Sequence, residues 1–300
     1  MSAPDEQGHD QLTRFMIGRA GVRGVHVRLD ATWRQIREHG DYPAAAAEML
    51  GEACAAAALF TGHAKIDGRL SIQLRSQHAL RTLFAECTSA GTLRGIARLE
   101  EGASPSRDLR ELGDDAVLAI TIENPATGSR EPVRYQGMVA LDSDDLAGAF
   151  EGYFLRSEQL PTRLLLAAGA DRASGLMLQK LPGDEGDDDG WHRAGALFDT
   201  LGPDELLALP AAELLNRLFH EDGVEQVATR PLRFACSCSE DRVAAVLVSL
   251  GEEEARAAAA DGEAHVRCEF CGREYRFDLA RIGELFKAHA VELEGPQRPQ

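Results

Sequence analysis

Apolar positions fall into three regimes along the chain. Between residues 41 and 63, turn residues give way to a long Ala/Leu/Met stretch, apolar on every face and rich in helix formers, which predicts a buried central helix. Short β-branched or alternating runs follow at 70–74, 93–99, 117–122, 133–141, 164–168 and 176–181, each reading as a strand. Turn signals at Asn124-Pro125 and Thr127-Gly128 imply antiparallel neighbours. Between two of these runs, residues 142–157 place Leu146, Phe150, Tyr153 and Phe154 at helical spacing behind an expected cap at Ser143 or Asp144. The predicted class is α+β, with an N-terminal antiparallel sheet carrying helices, a helical linker and a small C-terminal domain.

The third regime runs from Trp191 to His220 and is helical in pattern, interrupted at Gly202-Pro203 and Pro210. Trp191, Ala194, Leu197, Phe198 and Leu201 share one face, and Leu214, Leu215, Leu218 and Phe219 share another. Such faces must dock or lie exposed as adhesive surface. The expected dock is a folded C-terminal domain. Upstream, Gly183, Asp184, Glu185, Gly186, Asp187, Asp188, Asp189 and Gly190 form a self-repelling run expected to stay solvated. It lacks the ligand order of a calcium loop. The expected division is therefore a core domain at 1–182, an acidic helical linker at 183–233 and a C-terminal domain at 234–300.

Charge narrows the classes. The chain carries 32 basic and 49 acidic residues, a net charge of −17 that repels phosphate backbones and anionic lipid, so neither nucleic acid nor membrane is an expected partner. Residues 1–10 show no basic or apolar signal segment, and the longest uninterrupted apolar candidate, 53–60, is too short to span a bilayer. A cytoplasmic location is expected. No P-loop, G-x-G-x-x-G, G-x-S-x-G or H-E-x-x-H pattern occurs, and no catalytic constellation emerges, so an enzyme is not expected.

The six cysteines change the picture more. Cys236 and Cys238 form a C-x-C pair, and Cys268 and Cys271 a C-x-x-C pair beyond it. Two short thiol clusters suit one tetrahedral zinc, with Zn–S distances of about 2.3 Å. Strand-like residues 264–266 and 275–277 flank the second pair, and Phe234, Phe270, Tyr275 and Phe277 are expected to build the small core around the site. His265 is an alternative ligand that four cysteines make unnecessary, while Cys54 and Cys87 read as small packing residues. Zinc keeps all four sulfurs as thiolates and unpaired. Oxidation would remove the ligands, and a domain this small depends on its metal, which contributes on the order of 10–16 kcal/mol to folding in zinc-finger peptides. A redox sensor and an ordinary zinc ribbon both remain open on this argument. So does a thiol-disulfide oxidoreductase using Cys268 and Cys271, although that chemistry wants its C-x-x-C at a helix N-terminus.

The cysteine code, the segment from Tyr153-Phe154-Leu155-Arg156-Ser157-Glu158-Gln159 to Leu160-Pro161-Thr162-Arg163, Tyr135-Gln136-Gly137, Asp10-Gln11-Leu12 and Asp41-Tyr42-Pro43 together resemble the bacterial redox-regulated heat shock chaperone family, the 33 kDa chaperonins. The resemblance runs over nearly the whole chain. It implies an ATP-independent holdase, inactive when reduced with one zinc per chain on Cys236, Cys238, Cys268 and Cys271. Oxidation of these cysteines with zinc release would unfold the C-terminal domain and linker, activating the protein to prevent aggregation of unfolded proteins under oxidative stress. It further implies unfolded client proteins as partners, a homodimer on activation, and client hand-over to ATP-dependent foldase chaperones for refolding. Four cysteines allow three disulfide connectivities. Once the domain unfolds, closeness in sequence favours Cys236 with Cys238 and Cys268 with Cys271; the C-x-x-C bond is expected first, an order the resemblance also implies.

Overall fold

The computed structural model describes residues 10–64, 66–126, 131–183 and 186–294, so Asp184, Glu185 and the Thr127-Gly128 turn lie outside the described residues. The chain forms two compact units, divided between Ala235 and Cys236. In the first unit the order is β1 (Gln11–Ile17), β2 (Val22–Leu29), α1 (Ala31–Arg37), α2 (Ala44–His63), β3 (Arg69–Arg75), β4 (Leu80–Thr88), β5 (Thr92–Leu99), β6 (Val117–Asn124) and β7 (Val133–Val139). It continues through α3 (Leu146–Tyr153), β8 (Thr162–Ala168), β9 (Ala173–Lys180), α4 (Gly190–Phe198), α5 (Pro203–Ala208), α6 (Ala211–Phe219), β10 (Val224–Pro231) and β11 (Arg233–Phe234). The second unit holds α7 (Glu240–Leu250), α8 (Glu252–Ala257), β12 (Glu263–Arg267), β13 (Glu274–Asp278) and α9 (Leu279–Glu294).

The class is α+β as expected, but the first unit has two sheets rather than one. A five-stranded sheet runs β10-β1-β2-β9-β8, antiparallel throughout, and a six-stranded sheet runs β11-β5-β4-β3-β6-β7, with only β11 parallel to its neighbour. The helix α2 lies between them and touches strands of both. That placement explains its all-round apolarity, since one side meets Leu70, Ile72 and Leu83 and the other meets Val27, Leu164 and Met177 in a single core. Small residues let the layers approach closely: a Cβ on Gly51 would sit 2.5 Å from the Cβ of Ala168. By length and composition α2 would cross a bilayer, which corrects the reading of 53–60 as the longest candidate, yet this helix is mostly buried inside the protein. The cap of α3 is Asp145, accepting from the Gly148 amide at 2.7 Å, one residue beyond the expected pair.

Residues 191–219 dock on the outer face of the five-stranded sheet, not on the C-terminal domain as expected. Ala194, Phe198, Leu206, Leu214, Leu215, Leu218 and Phe219 bury against Phe15, Ile17, Val22, Leu176 and Leu178 in a second core of the first unit. The predicted helical linker at 183–233 is also not helical throughout, because it ends in β10 and β11, with β10 pairing along the whole of β1. The acidic run is drawn into this dock. Arg193 donates to both oxygens of buried Asp222, at 3.0 and 3.1 Å from Nε, and also to Asp187 at 3.0 Å, so the cation missing from the run is supplied by the helix that follows it.

His26 alternates with Val22 and Gly24 on the face that α4–α6 cover. It is fully buried with Nε2 unpartnered, and burial, reinforced by the Arg28 charge, pushes its pKa down to about 4. An unfolded imidazole titrates near 6.5, so between the two values the unfolded chain binds more protons. The stability that neutral His26 contributes is complete above about pH 6.5 and is lost as pH falls toward 4. Denaturant titrations should show about 3 kcal/mol of acid destabilisation from this group, at 1.36 kcal/mol per pKa unit. His26→Leu should remove that component; an unchanged pH slope in the variant would refute the assignment.

Candidate metal centre

Each cysteine pair of the second unit sits on a turn that the local sequence enforces. Cys236 and Cys238 lie in the extended segment before α7. Its end is fixed by Ser239, which caps the helix by accepting from the Arg242 amide at 3.3 Å, while Arg242 reaches back to the Ser237 carbonyl at 2.7 Å. Cys268 and Cys271 occupy the turn between β12 and β13, which pair from Glu263–Asp278 to Arg267–Glu274. There the Cys268 amide donates to the Arg273 carbonyl and the Gly272 amide to the Cys268 carbonyl, both at 2.8 Å. Gly272 takes φ +66°, a left-handed conformation that lets the chain reverse directly after the last cysteine.

The two turns bring four free thiols together. All four sulfurs lie within 4.8 Å of one another, with Cys236–Cys268 at 3.7 Å and Cys238–Cys271 at 3.3 Å. Sulfurs on a tetrahedron of 2.3 Å radius are about 3.8 Å apart, so this cluster fits one tetrahedral cation. Tyr275, expected only as a core residue, donates its hydroxyl to Cys238 Sγ at 3.1 Å. Partial burial opposes ionisation of Cys238, but the Tyr275 hydroxyl and the neighbouring thiols outweigh it and bring the group down to about 7. Burial and the proton shared with its neighbours push Cys271 up to about 12, and Cys236 rises for the same leading reason. Without a cation Cys238 therefore ionises ahead of Cys236 and Cys271. An all-thiolate donor set requires compensating positive charge, and soft sulfur ligands select zinc or iron among common metals.

The other expected residues separate. Phe277 is buried in the second unit's core, with Tyr275 against it, whereas Phe234 belongs to β11 of the first unit, its ring 5.4 Å from that of His39. His265 is exposed beside Glu263 and supplies no ligand to the sulfur cluster. Cys54 and Cys87 are buried in the main core, where burial raises both thiols, Cys87 to about 11. Neither ring hydroxyl chemistry nor the sulfur pairing across turns leaves a mark in cysteine spacing, so Tyr275 could be found only from the fold.

Fold and site together define a two-unit α+β protein with a four-cysteine cluster placed to hold a metal ion in its C-terminal unit. The family model described as Hsp33 protein matches residues 10–278, and the chain belongs to that family. The 33 kDa chaperonin of Ectopseudomonas mendocina (strain ymp) is 41% identical over 298 residues, covering 97% of this chain and 99% of that protein. The 33 kDa chaperonin of Nitrosococcus oceani is 42% identical over 278 residues, covering 92% and 94%. A crystal structure of the 33 kDa chaperonin from Thermotoga maritima shares the fold, with a TM-score of 0.78 at 21% identity, covering 94% of this chain and 99% of that one. The chain is thus a chaperone of the Hsp33 family.

Proposed function

We propose that the chain is a redox-regulated, ATP-independent holdase, off when reduced and metal-bound and on when its four cysteines are oxidised. The observation that carries the reading is how little else holds the second unit. Its buried core among the described residues is Ala244, Leu247, Ala255, Ala259, Ala264, Phe277 and Ile282, four of them alanines. Zinc, when bound, would hold Cys236, Cys238, Cys268 and Cys271 as thiolates and keep them from pairing. Peroxide would then oxidise the site: each pair of thiolates loses two electrons to form one S–S bond, and each peroxide takes up those two electrons with two protons from solvent to become two waters. Sulfurs joined in disulfides no longer serve as thiolate donors, and the slight apolar core is left to hold the unit alone.

The disulfides are proposed as Cys236 with Cys238 and Cys268 with Cys271. In the folded unit Cys236–Cys268 and Cys238–Cys271 also meet across the turns, at 3.7 and 3.3 Å, so the proposed pairing joins neighbours in sequence and not these cross-turn contacts. Residues 183–233 act in this reading as the linker that leaves the five-stranded sheet, uncovering Phe15, Ile17, Val22, Leu176 and Leu178 to unfolded clients. Dimerisation on activation, hand-over to ATP-dependent foldases and a cytoplasmic location complete the proposal. A thiol-disulfide oxidoreductase is less well supported, because Cys268 and Cys271 lie on a strand-to-strand turn and not at a helix N-terminus.

Suppression of aggregation of an unfolded test protein, without ATP, tests the reading: the peroxide-treated sample should suppress and the reduced, zinc-loaded one should not. Equal activity would sink the switch. Metal analysis should find one zinc per reduced chain, and Cys268→Ser should lose tight binding; a full tightly held equivalent in that variant would overturn the four-thiolate assignment.

A further inference from the structure

A cavity of about 530 Å³ opens between the two sheets of the first unit, past the C-terminal end of α2, and neither the metal centre nor the docked helices use it. Its size is that of a small-molecule site. One wall is apolar, built from Phe60, Leu70, Ile122 and Phe154. The opposite wall carries Arg14 of β1, Arg23 of β2 and His63, the last residue of α2. Arg23 donates to Gln179 Oε1 at 3.2 Å from Nε and meets His63 Nε2 at 3.1 Å. Burial, with the Arg23 charge second, holds His63 down to about 4, so it faces Arg23 as a neutral acceptor.

Among the described residues neither guanidinium has a carboxylate within ion-pair distance, although two cations share one cavity and Arg14 lowers the Arg23 pKa after burial has done so. Glu158 also lines the cavity but engages the other end, accepting from the Tyr153 hydroxyl at 3.5 Å, with Tyr135 a further 3.2 Å away. The carbonyls ending α2 contribute about half a negative charge, short of what two guanidinium groups require. Backbone distortion shapes this end: residues Phe154–Glu158 form a π-helical turn closed by Gln159 at φ 55°, the one non-glycine residue with positive φ among those described. An L-residue holds that conformation only where its surroundings impose it, and such turns gather at binding sites.

We infer that this cavity binds a small amphipathic carboxylate, its anionic head between Arg14 and Arg23 and its apolar body along Phe60, Leu70, Ile122 and Phe154. An inorganic anion would leave the apolar wall empty, and a neutral apolar molecule would leave two guanidinium groups uncompensated. The site is independent of the metal switch.

Calorimetric titration of the reduced, zinc-loaded full chain with octanoate tests it, under conditions in which the proposed holdase is off. One saturable site per chain is expected, with at least tenfold weaker binding of the neutral isostere octan-1-ol. Arg14→Gln alters an exposed side chain without a carboxylate partner and should weaken octanoate at least tenfold, as should Arg23→Gln. Ile122→Trp, which fills the cavity, should abolish binding. Absence of a saturable site, equal binding of octan-1-ol, or undiminished affinity in Arg14→Gln or Ile122→Trp would each overturn the inference. Peroxide-induced suppression of aggregation by Arg14→Gln should equal that of the parent, so a failed octanoate site and a failed chaperone switch are distinguishable.

Discussion

Replacing Phe219 by alanine is expected to convert the reduced, metal-bound protein into a constitutive holdase. Phe219 is fully buried on α6, and its ring lies 6.4 Å from that of Phe15 on β1, near parallel at 22°. Truncating such a side chain costs about 3–5 kcal/mol. Residues 190–222 have little to set against that loss. The helices α4, α5 and α6 are nine, six and nine residues long, well below the length at which isolated helices persist in water, and Pro210 precludes fusing the last two. Besides the apolar contacts, the segment is held by the Arg193 clasp on Asp222 within it and by ties such as Arg172 to the Leu207 carbonyl and Arg163 to Asp199.

The effect should stay local, because the core around α2 is a separate cluster from the one beneath α4–α6. Hydrogen exchange should show residues 190–222 unprotected while β3–β6 keep their protection. The reduced variant, still holding its metal, should then suppress aggregation without oxidant. Undocking without suppression would show that the uncovered sheet face is not where clients bind. Leu206→Ala, at a second fully buried position, separates loss of docking from any defect peculiar to Phe219.

What the chain makes legible follows from which interactions are local. The four cysteines declare themselves because ligand spacing is a property of short turns, and the structure brings all four sulfurs together. Helix α2 is legible because contact with two sheets demands apolarity on every side. Strands β1 and β2 are not, since Arg14, Arg23, His26 and Arg28 interrupt their apolar runs and the reasons for those residues lie elsewhere: Arg14 and Arg23 line a cavity, and His26 is covered by a distant segment. Strand β10 is mostly exposed and polar and becomes a strand only by pairing with β1, some 200 residues away in sequence. The acidic run reads as pure repulsion because Asp222, the buried partner that fixes Arg193 beside it, stands 29 residues beyond that arginine. Amphipathic helices announce that they must dock, but the sheet that receives them is assembled from strands at both ends of the core domain.

Removing the metal from the reduced protein is expected to unfold residues 236–294 while leaving both sheets intact. Of the unit's seven buried core residues among those described, four are alanines and the other three are Leu247, Ile282 and Phe277. At about 1.5–3 kcal/mol for each large apolar side chain buried, those three offer less than about ten. Ion pairs such as Arg281–Glu240 and Arg256–Glu252 are half exposed and contribute little. The sulfur cluster ties the segment before α7 to the β12–β13 turn, and metal sites of this type supply about 10–16 kcal/mol in zinc-finger peptides. Chelation under reducing conditions should therefore erase amide protection across α7–α9 and β12–β13. The strands β1–β9 should exchange as before, since their cores share no residue with this one. Restoring zinc should restore protection in full at about one equivalent. Persistent protection of α7 and β13 after complete metal removal would mean that apolar packing alone suffices, and a switch driven by oxidation of the four cysteines would lose its energetic basis.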